Sequence, residues 1–262
     1  MSGACAVAFV DRRELPLWRW SSLLSSKERA EAASYRHPVR RARTITSRVL
    51  TKHLVMNPEV PEFRRLRAEE IDVGRGSEWA SIELLSGTAK AGGTTVIREG
   101  KAATDVSVSS SHCGAYTASC ISRNHVGLDL ELIEPRRREF YAYTFSPEER
   151  GWAESVHGTA GTSMEAAFTL LWTVKEAYLK ACARDDVSIW SFPGWTVWFE
   201  GTVDGALRSK SQGEFTRVLG GIRGRSFSST FEIATMRIYD MILSTVQYQK
   251  SGRWDATVGS VR

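Results

Sequence analysis

The run Val126-Gly127-Leu128-Asp129-Leu130-Glu131-Leu132 has residue types and a spacing suited to binding a metal. Strand side chains alternate between faces, so Val126, Leu128, Leu130 and Leu132 share one face. Asp129 and Glu131 then project from the other, about 6–7 Å apart at ~3.3 Å per residue. Two carboxylates on one face repel unless a cation lies between them, and hard oxygen donors suit Mg²⁺. An edge strand with a solvated acidic face has the same pattern. A second run, Trp172-Thr173-Val174-Lys175-Glu176-Ala177-Tyr178-Leu179-Lys180, reads as helix and puts Trp172, Glu176 and Lys180 on one stripe. Alone, Glu followed by Lys at i+4 is an ordinary exposed pair worth roughly 0.2–0.5 kcal/mol. Beside Asp129 and Glu131, Glu176 becomes a third carboxylate for one ion, and Lys180 a cation one turn away, suited to a phosphate. The third run is Ser109-Ser110-Ser111-His112-Cys113-Gly114, between two strand-like segments. A histidine at a strand end among hydroxyls can donate to an anion such as a phosphate oxygen; a structural histidine in a turn is the alternative. Cys113 and His112 point to opposite faces of an extended chain, which discounts a Cys–His nucleophile.

The elements that must position these residues read as a mixture. Ser25-Ser26-Lys27-Glu28-Arg29 begins a helix with a serine cap. Residues 40–55 form another, with Ala42, Ile45 and Val49 at helical spacing. From Arg36 to Lys52 lie Arg40, Arg41, Arg43 and Arg48 with no acidic residue between. Gly87–Thr95 reads as loop. Val106–Ser110, Ala115–Ile121 and Val126–Leu132 read as strands, helices return from about Pro147 to Cys182, and Trp195–Phe199, Thr230–Ile238 and Met241–Tyr248 read as strands. Strands and helices without strict alternation indicate an α+β fold. The chain of 262 residues has ordinary globular composition, with 42% hydrophobic and 25% charged residues. A mean hydropathy of −0.26 without a long apolar run excludes a membrane-spanning helix. The interrupted start argues against a signal peptide. Four cysteines without C-x-x-C spacing fit a reduced, cytoplasmic setting. A net charge of +5 and a pI near 9.1 suit an anionic partner.

Together, Ser111-His112, Gly127-Leu128-Asp129-Leu130-Glu131 and Trp172-Thr173-Val174-Lys175-Glu176 with Lys180 resemble the Sfp-type 4′-phosphopantetheinyl transferases, relatives of the holo-acyl-carrier-protein synthases. Phe145-Ser146-Pro147-Glu148-Glu149 resembles that family's F-S-x-x-E segment, and the resemblance runs from Lys27–Leu50 to about Tyr248. It implies a monomeric pseudo-dimer of two similar α+β halves, 1–122 and 123–249, with coenzyme A in the cleft between them and a tail, 250–262. It implies transfer of the 4′-phosphopantetheine of coenzyme A to a serine of an acyl or peptidyl carrier protein, releasing 3′,5′-ADP. Under it, Asp129, Glu131 and Glu176 hold Mg²⁺ (or Mn²⁺), and Lys180, His112 and Ser111 meet phosphate oxygens with Lys175 assisting. Arg43 faces the 3′-phosphate, with Arg48 a further candidate. Glu149 takes the serine proton, a metal-bound water being the alternative. An acidic carrier, typical of secondary metabolism, would be steered by the basic surface.

Two departures stand out. Ala181-Cys182-Ala183-Arg184-Asp185-Asp186 replaces a glycine-rich stretch, and Lys90-Ala91-Gly92-Gly93-Thr94-Thr95 lacks the family's basic-proline pair. They leave a catalytically impaired carrier- or coenzyme-binding paralogue as an alternative. A nucleic-acid-binding protein, suggested by the basic helix and nine tryptophans, is disfavoured because no recognised nucleic-acid motif accompanies them.

Overall fold

A computed structural model describes residues 5–57, 63–71, 76–86, 94–157, 162–182, 189–203, 207, 215–224 and 227–248. The first part comprises β1 (Ala6–Asp11), α1 (Leu17–Trp20), α2 (Ser26–Ser34), α3 (Pro38–Met56), β2 (Phe63–Arg65), α4 (Gly76–Ser81), β3 (Ile82–Ser86), β4 (Thr94–Arg98), β5 (Lys101–Ala102), β6 (Ser107–Cys113) and β7 (Tyr116–Ser122). The second comprises β8 (His125–Leu132), α5 (Arg138–Thr144), α6 (Pro147–His157), α7 (Met164–Cys182), β9 (Thr196–Glu200), β10 (Thr216–Arg223), β11 (Ser228–Ile238) and β12 (Met241–Tyr248). The fold is α+β. No helix among the described residues is long and apolar enough to cross a membrane. Most of the glycine-containing segment, the stretch after Cys182 and the tail lie outside the described residues.

One sheet runs β2-β1-β7-β6 and a second β8-β12-β11-β10-β9; β3-β4-β5 form a third. Strand alternation gives the two larger sheets two faces each. Val7, Phe9, Ala118 and Cys120 of the first meet Val126, Leu128, Leu130 and Leu243 of the second in a common core. On the outer face of the first, Ala6, Ala8 and Val10 pack on Val49, Leu50 and Leu54 of α3. On the outer face of the second, Ile242 and Val246 pack on Leu170, Leu171 and Val174 of α7. Helix α7 lies so close to β8 that a Cβ on Gly127 would stand 1.8 Å from the Ala177 carbonyl oxygen. Glycine is therefore required there.

The same arrangement of buried charge occurs under each long helix. Ser25 and Glu28 form a capping box at the start of α2, as the serine cap predicts. The Glu28 carboxylate also accepts from the Leu84 amide at 3.0 Å and pairs with Lys52 of α3 at 2.6 Å, both side chains being buried. Lys52 donates further to the carbonyls of Leu23 and Trp79. Farther along the chain, Ser146 and Glu149 exchange the same reciprocal bonds, at 2.9 and 3.2 Å. Glu149 accepts from the Val197 amide at 2.8 Å and pairs with Lys175 of α7 at 2.7 Å. Lys175 donates further to the carbonyls of Thr144, Phe192 and Trp195.

Candidate active site

Strand β8 is an edge of its sheet, and α7 covers its outer face. The helical stripe expected from the sequence therefore lies against the carboxylates. The Trp172 indole hydrogen-bonds Glu131, and Lys180 donates to Asp129 Oδ1 at 2.7 Å and to the Leu128 carbonyl at 3.1 Å. Asp129 is buried, and its other oxygen, Oδ2, has no hydrogen-bond partner. Burial and the Asp129 charge raise the pKa of Glu131, against the pull of Arg136, Trp172 and Lys180. Burial pushes Glu176 up to about 7, with Asp129 and Glu131 adding to the rise and Lys180 opposing it. Three carboxylates thus share one neighbourhood with a single lysine pairing directly with Asp129. Among the described residues, no three His, Cys, Asp or Glu side chains are already closed around one point. The hard oxygen donors and the unpartnered, buried Oδ2 nevertheless fit a divalent cation.

The Ser-His motif belongs to β6 rather than to a turn. The strand runs through Cys113, and the turn falls at Gly114, whose φ of 51° suits glycine. Ser111 is buried, donating to Asp129 Oδ1 at 2.8 Å and accepting from Lys180 at 3.1 Å. His112 points the other way and reaches solvent. Crowding by the surrounding chain pushes its pKa down to about 4, helped by Arg43, Lys180 and Arg12 and opposed by Asp129. The imidazole is therefore neutral at pH 7 and surrounded by cations. Arg43 has a buried Nε without a partner. Arg12, absent from the sequence-based site, donates to the Tyr116 and Gly114 carbonyls and to Thr117, anchoring the turn that follows His112. Its signal in the sequence was only its place at the end of the first apolar stretch.

Three expected site residues are committed elsewhere. Lys175 and Glu149 are wholly buried and bonded to each other, to backbone carbonyls and to backbone amides, so neither is free to meet phosphate or take a serine proton. Arg48 is buried, with its guanidinium on the Leu84 carbonyl and on Glu31 at 2.8 Å. These side chains hold elements together. Alongside Glu131, a cleft of about 140 Å³ is walled by Phe140, Tyr141, Phe168 and Trp172, with Arg136 at its side.

Residues 125–213, from β8 past β9, match the family model of the 4′-phosphopantetheinyl transferase superfamily. Over this segment the chain is similar to the 4′-phosphopantetheinyl transferases. A protein of Synechocystis sp., provisionally named as such a transferase, is 26% identical over 176 residues, covering 63% of this chain and 59% of that protein. The 4′-phosphopantetheinyl transferase gsp of Aneurinibacillus migulanus is 31% identical over 80 residues, 30% of this chain and 32% of that one. The chain thus aligns with less than two thirds of either relative. The matched segment contains Asp129, Glu131, Glu176 and Lys180; Arg43 and the Ser-His strand lie before it.

Proposed function

We propose that this protein transfers the 4′-phosphopantetheine arm of coenzyme A to a carrier-protein serine, releasing 3′,5′-ADP, as an Sfp-type enzyme. Its pseudo-dimeric halves are taken as 1–122 and 123–249. The observation that supports this reading most is Asp129, a buried carboxylate with one oxygen on Lys180 and Ser111 and the other unpartnered. It stands between two further carboxylates and a cationic group around His112. Asp129, Glu131 and Glu176 would hold Mg²⁺, which when bound would neutralise charge developing on the pyrophosphate.

The chain's own residues then bind and orient. The serine oxygen forms a bond to the phosphorus that carries pantetheine, and the pyrophosphate P–O bond breaks with its electron pair leaving on 3′,5′-ADP. Little covalent work falls to the protein, as in other phosphoryl transfers. Lys180 and neutral His112 donate to phosphate oxygens, and Arg43 receives the 3′-phosphate through its planar fork. With Glu149 locked in the core and the three carboxylates committed to the cation, the serine proton would pass to a solvent water at the site. The reading includes a monomeric cytoplasmic protein and an acidic carrier of secondary metabolism.

The test is incubation with a fluorescent coenzyme A, Mg²⁺ and several apo carrier proteins. Wild-type protein labels a carrier, and E176A loses labelling at least a thousandfold while keeping its melting temperature. Wild-type turnover by E176A overturns the site assignment. No label on any carrier favours a binding paralogue.

A further inference from the structure

The two larger sheets meet edge to edge at β6 and β8 without a backbone ladder between them. Side chains do the joining. Ser107 Oγ accepts from the Val126 amide at 3.2 Å, and Ser109 Oγ accepts from the Leu128 amide at 3.1 Å. Two residues beyond Ser111, the Leu132 backbone hydrogen-bonds the Cys113 sulfur. Alternate residues of one strand thus grip alternate amides of the other in a constant register. Strand alternation explains why: residues 107, 109, 111 and 113 share a face. At Ser111 the hydroxyl turns instead to Asp129 and Lys180.

We propose that Ser107, Ser109 and Cys113 are positioning residues, which fix the register of β6 on β8 and so join the anion-facing and carboxylate parts of the site. The anion-facing side chains, Arg43, Arg12 and His112, stand on or beside the first sheet, whereas Asp129, Glu131, Glu176 and Lys180 belong to the second sheet and its helix. A pyrophosphate held between them feels any slip of one edge along the other. A hydroxyl is well suited to this task because it satisfies an edge amide without extending the sheet. An unsatisfied buried amide is costly, so each grip also resists sliding. This proposal rests on the transferase reading above for its catalytic consequence, though the register itself does not.

The experiment compares wild type, S107A/S109A and S107T/S109T, the last keeping both hydroxyls. Two readouts are taken: steady-state transfer from coenzyme A, and the titration midpoint of the His112 ring by NMR. Arg43 of α3, Lys180 of α7, Arg12 after β1 and Asp129 of β8 all act on that ring. The alanine pair is expected to lose at least tenfold in kcat at saturating coenzyme A. Its His112 midpoint departs from the wild-type value as Lys180 and Asp129 shift relative to the ring, and the threonine pair stays near wild type in both. A merely structural role lowers the melting temperature of the alanine pair and leaves kcat and the midpoint unchanged, which overturns the proposal. If the alanine pair does not fold, S109A is measured in the same way, with a smaller change in the same direction expected and an unchanged kcat and midpoint overturning it. A wild type that modifies no carrier overturns the transferase reading instead, and the His112 midpoint alone then decides the register.

Discussion

Helices α3 and α7 rest on the same buried device and differ in what surrounds it. In each, a lysine reaches down to a glutamate that caps a shorter helix and holds an amide of a later strand. Beside α3, the facing side chains of β1 are Ala6, Ala8 and Val10. Beside α7, the corresponding face of β8 carries Gly127, Asp129 and Glu131. The residue after Lys52 is His53; the residue after Lys175 is Glu176. One frame is filled with apolar groups and the other with carboxylates. The contrast separates what builds the frame from what arms it, and it assigns Lys175 and Glu149 to the frame.

The sharpest break of that contrast is on the armed side. D129N removes the charge at the centre of the carboxylates and is expected to lower transfer at least a thousandfold, with urea unfolding little changed. Next come the frame pairs. K52M and K175M each leave a buried carboxylate without its cation and are expected to cost about 3–5 kcal/mol in urea denaturation. Restoring neutrality with E149Q/K175M should recover most of that stability and retain transfer. Loss of transfer in this stable double variant would return Lys175 or Glu149 to the chemistry. Arg43 and Arg48 make a smaller contrast on one helix. R43A should weaken 3′,5′-ADP roughly tenfold or more, given ~1.5–3 kcal/mol for a bond to a charged group. R48A should instead destabilise the fold and leave that affinity unchanged, as calorimetry can show.

The gentlest probe is proton uptake at His112. Its folded pKa of about 4 lies below the ordinary histidine value of 6.5. The unfolded chain therefore takes up the proton first, and stability from this group is lost as pH falls from about 6.5 towards 4. A bound anion favours the imidazolium, so adding 3′,5′-ADP should raise the midpoint in an NMR titration. A midpoint indifferent to the nucleotide would remove His112 from the anion site.

The carboxylate strand and the helical stripe were legible because both depend on simple periodicity. Alternation placed Asp129 and Glu131 on one face, and a 3.6-residue turn aligned Trp172, Glu176 and Lys180 with them. The cap at Ser25 was legible for the same local reason. Lys175 and Glu149 were not, because a charged residue in a motif looks the same whether it meets substrate or is buried in an ion pair. The repeated S-x-x-E at Ser25–Glu28 and Ser146–Glu149, each followed by a lysine in a long helix, was the available signal. The run from Ser109 read as hydroxyls around an anion; Ser109 instead satisfies an amide of a distant strand edge, as Ser107 does beside it, a tertiary contact with no local trace. Arg12 escaped for the same reason, since its acceptors come from the far turn between β6 and β7.

Gly127 contributes no side chain to any of this, yet its bareness sets how near α7 can come to β8. An added methyl would act as a wedge driven between strand and helix at their tightest point. Asp129 and Glu131 would then be displaced together from Glu176 and Lys180, while every functional group remained present. The least reactive member of the motif is thus the one through which a single small change can disarm the whole.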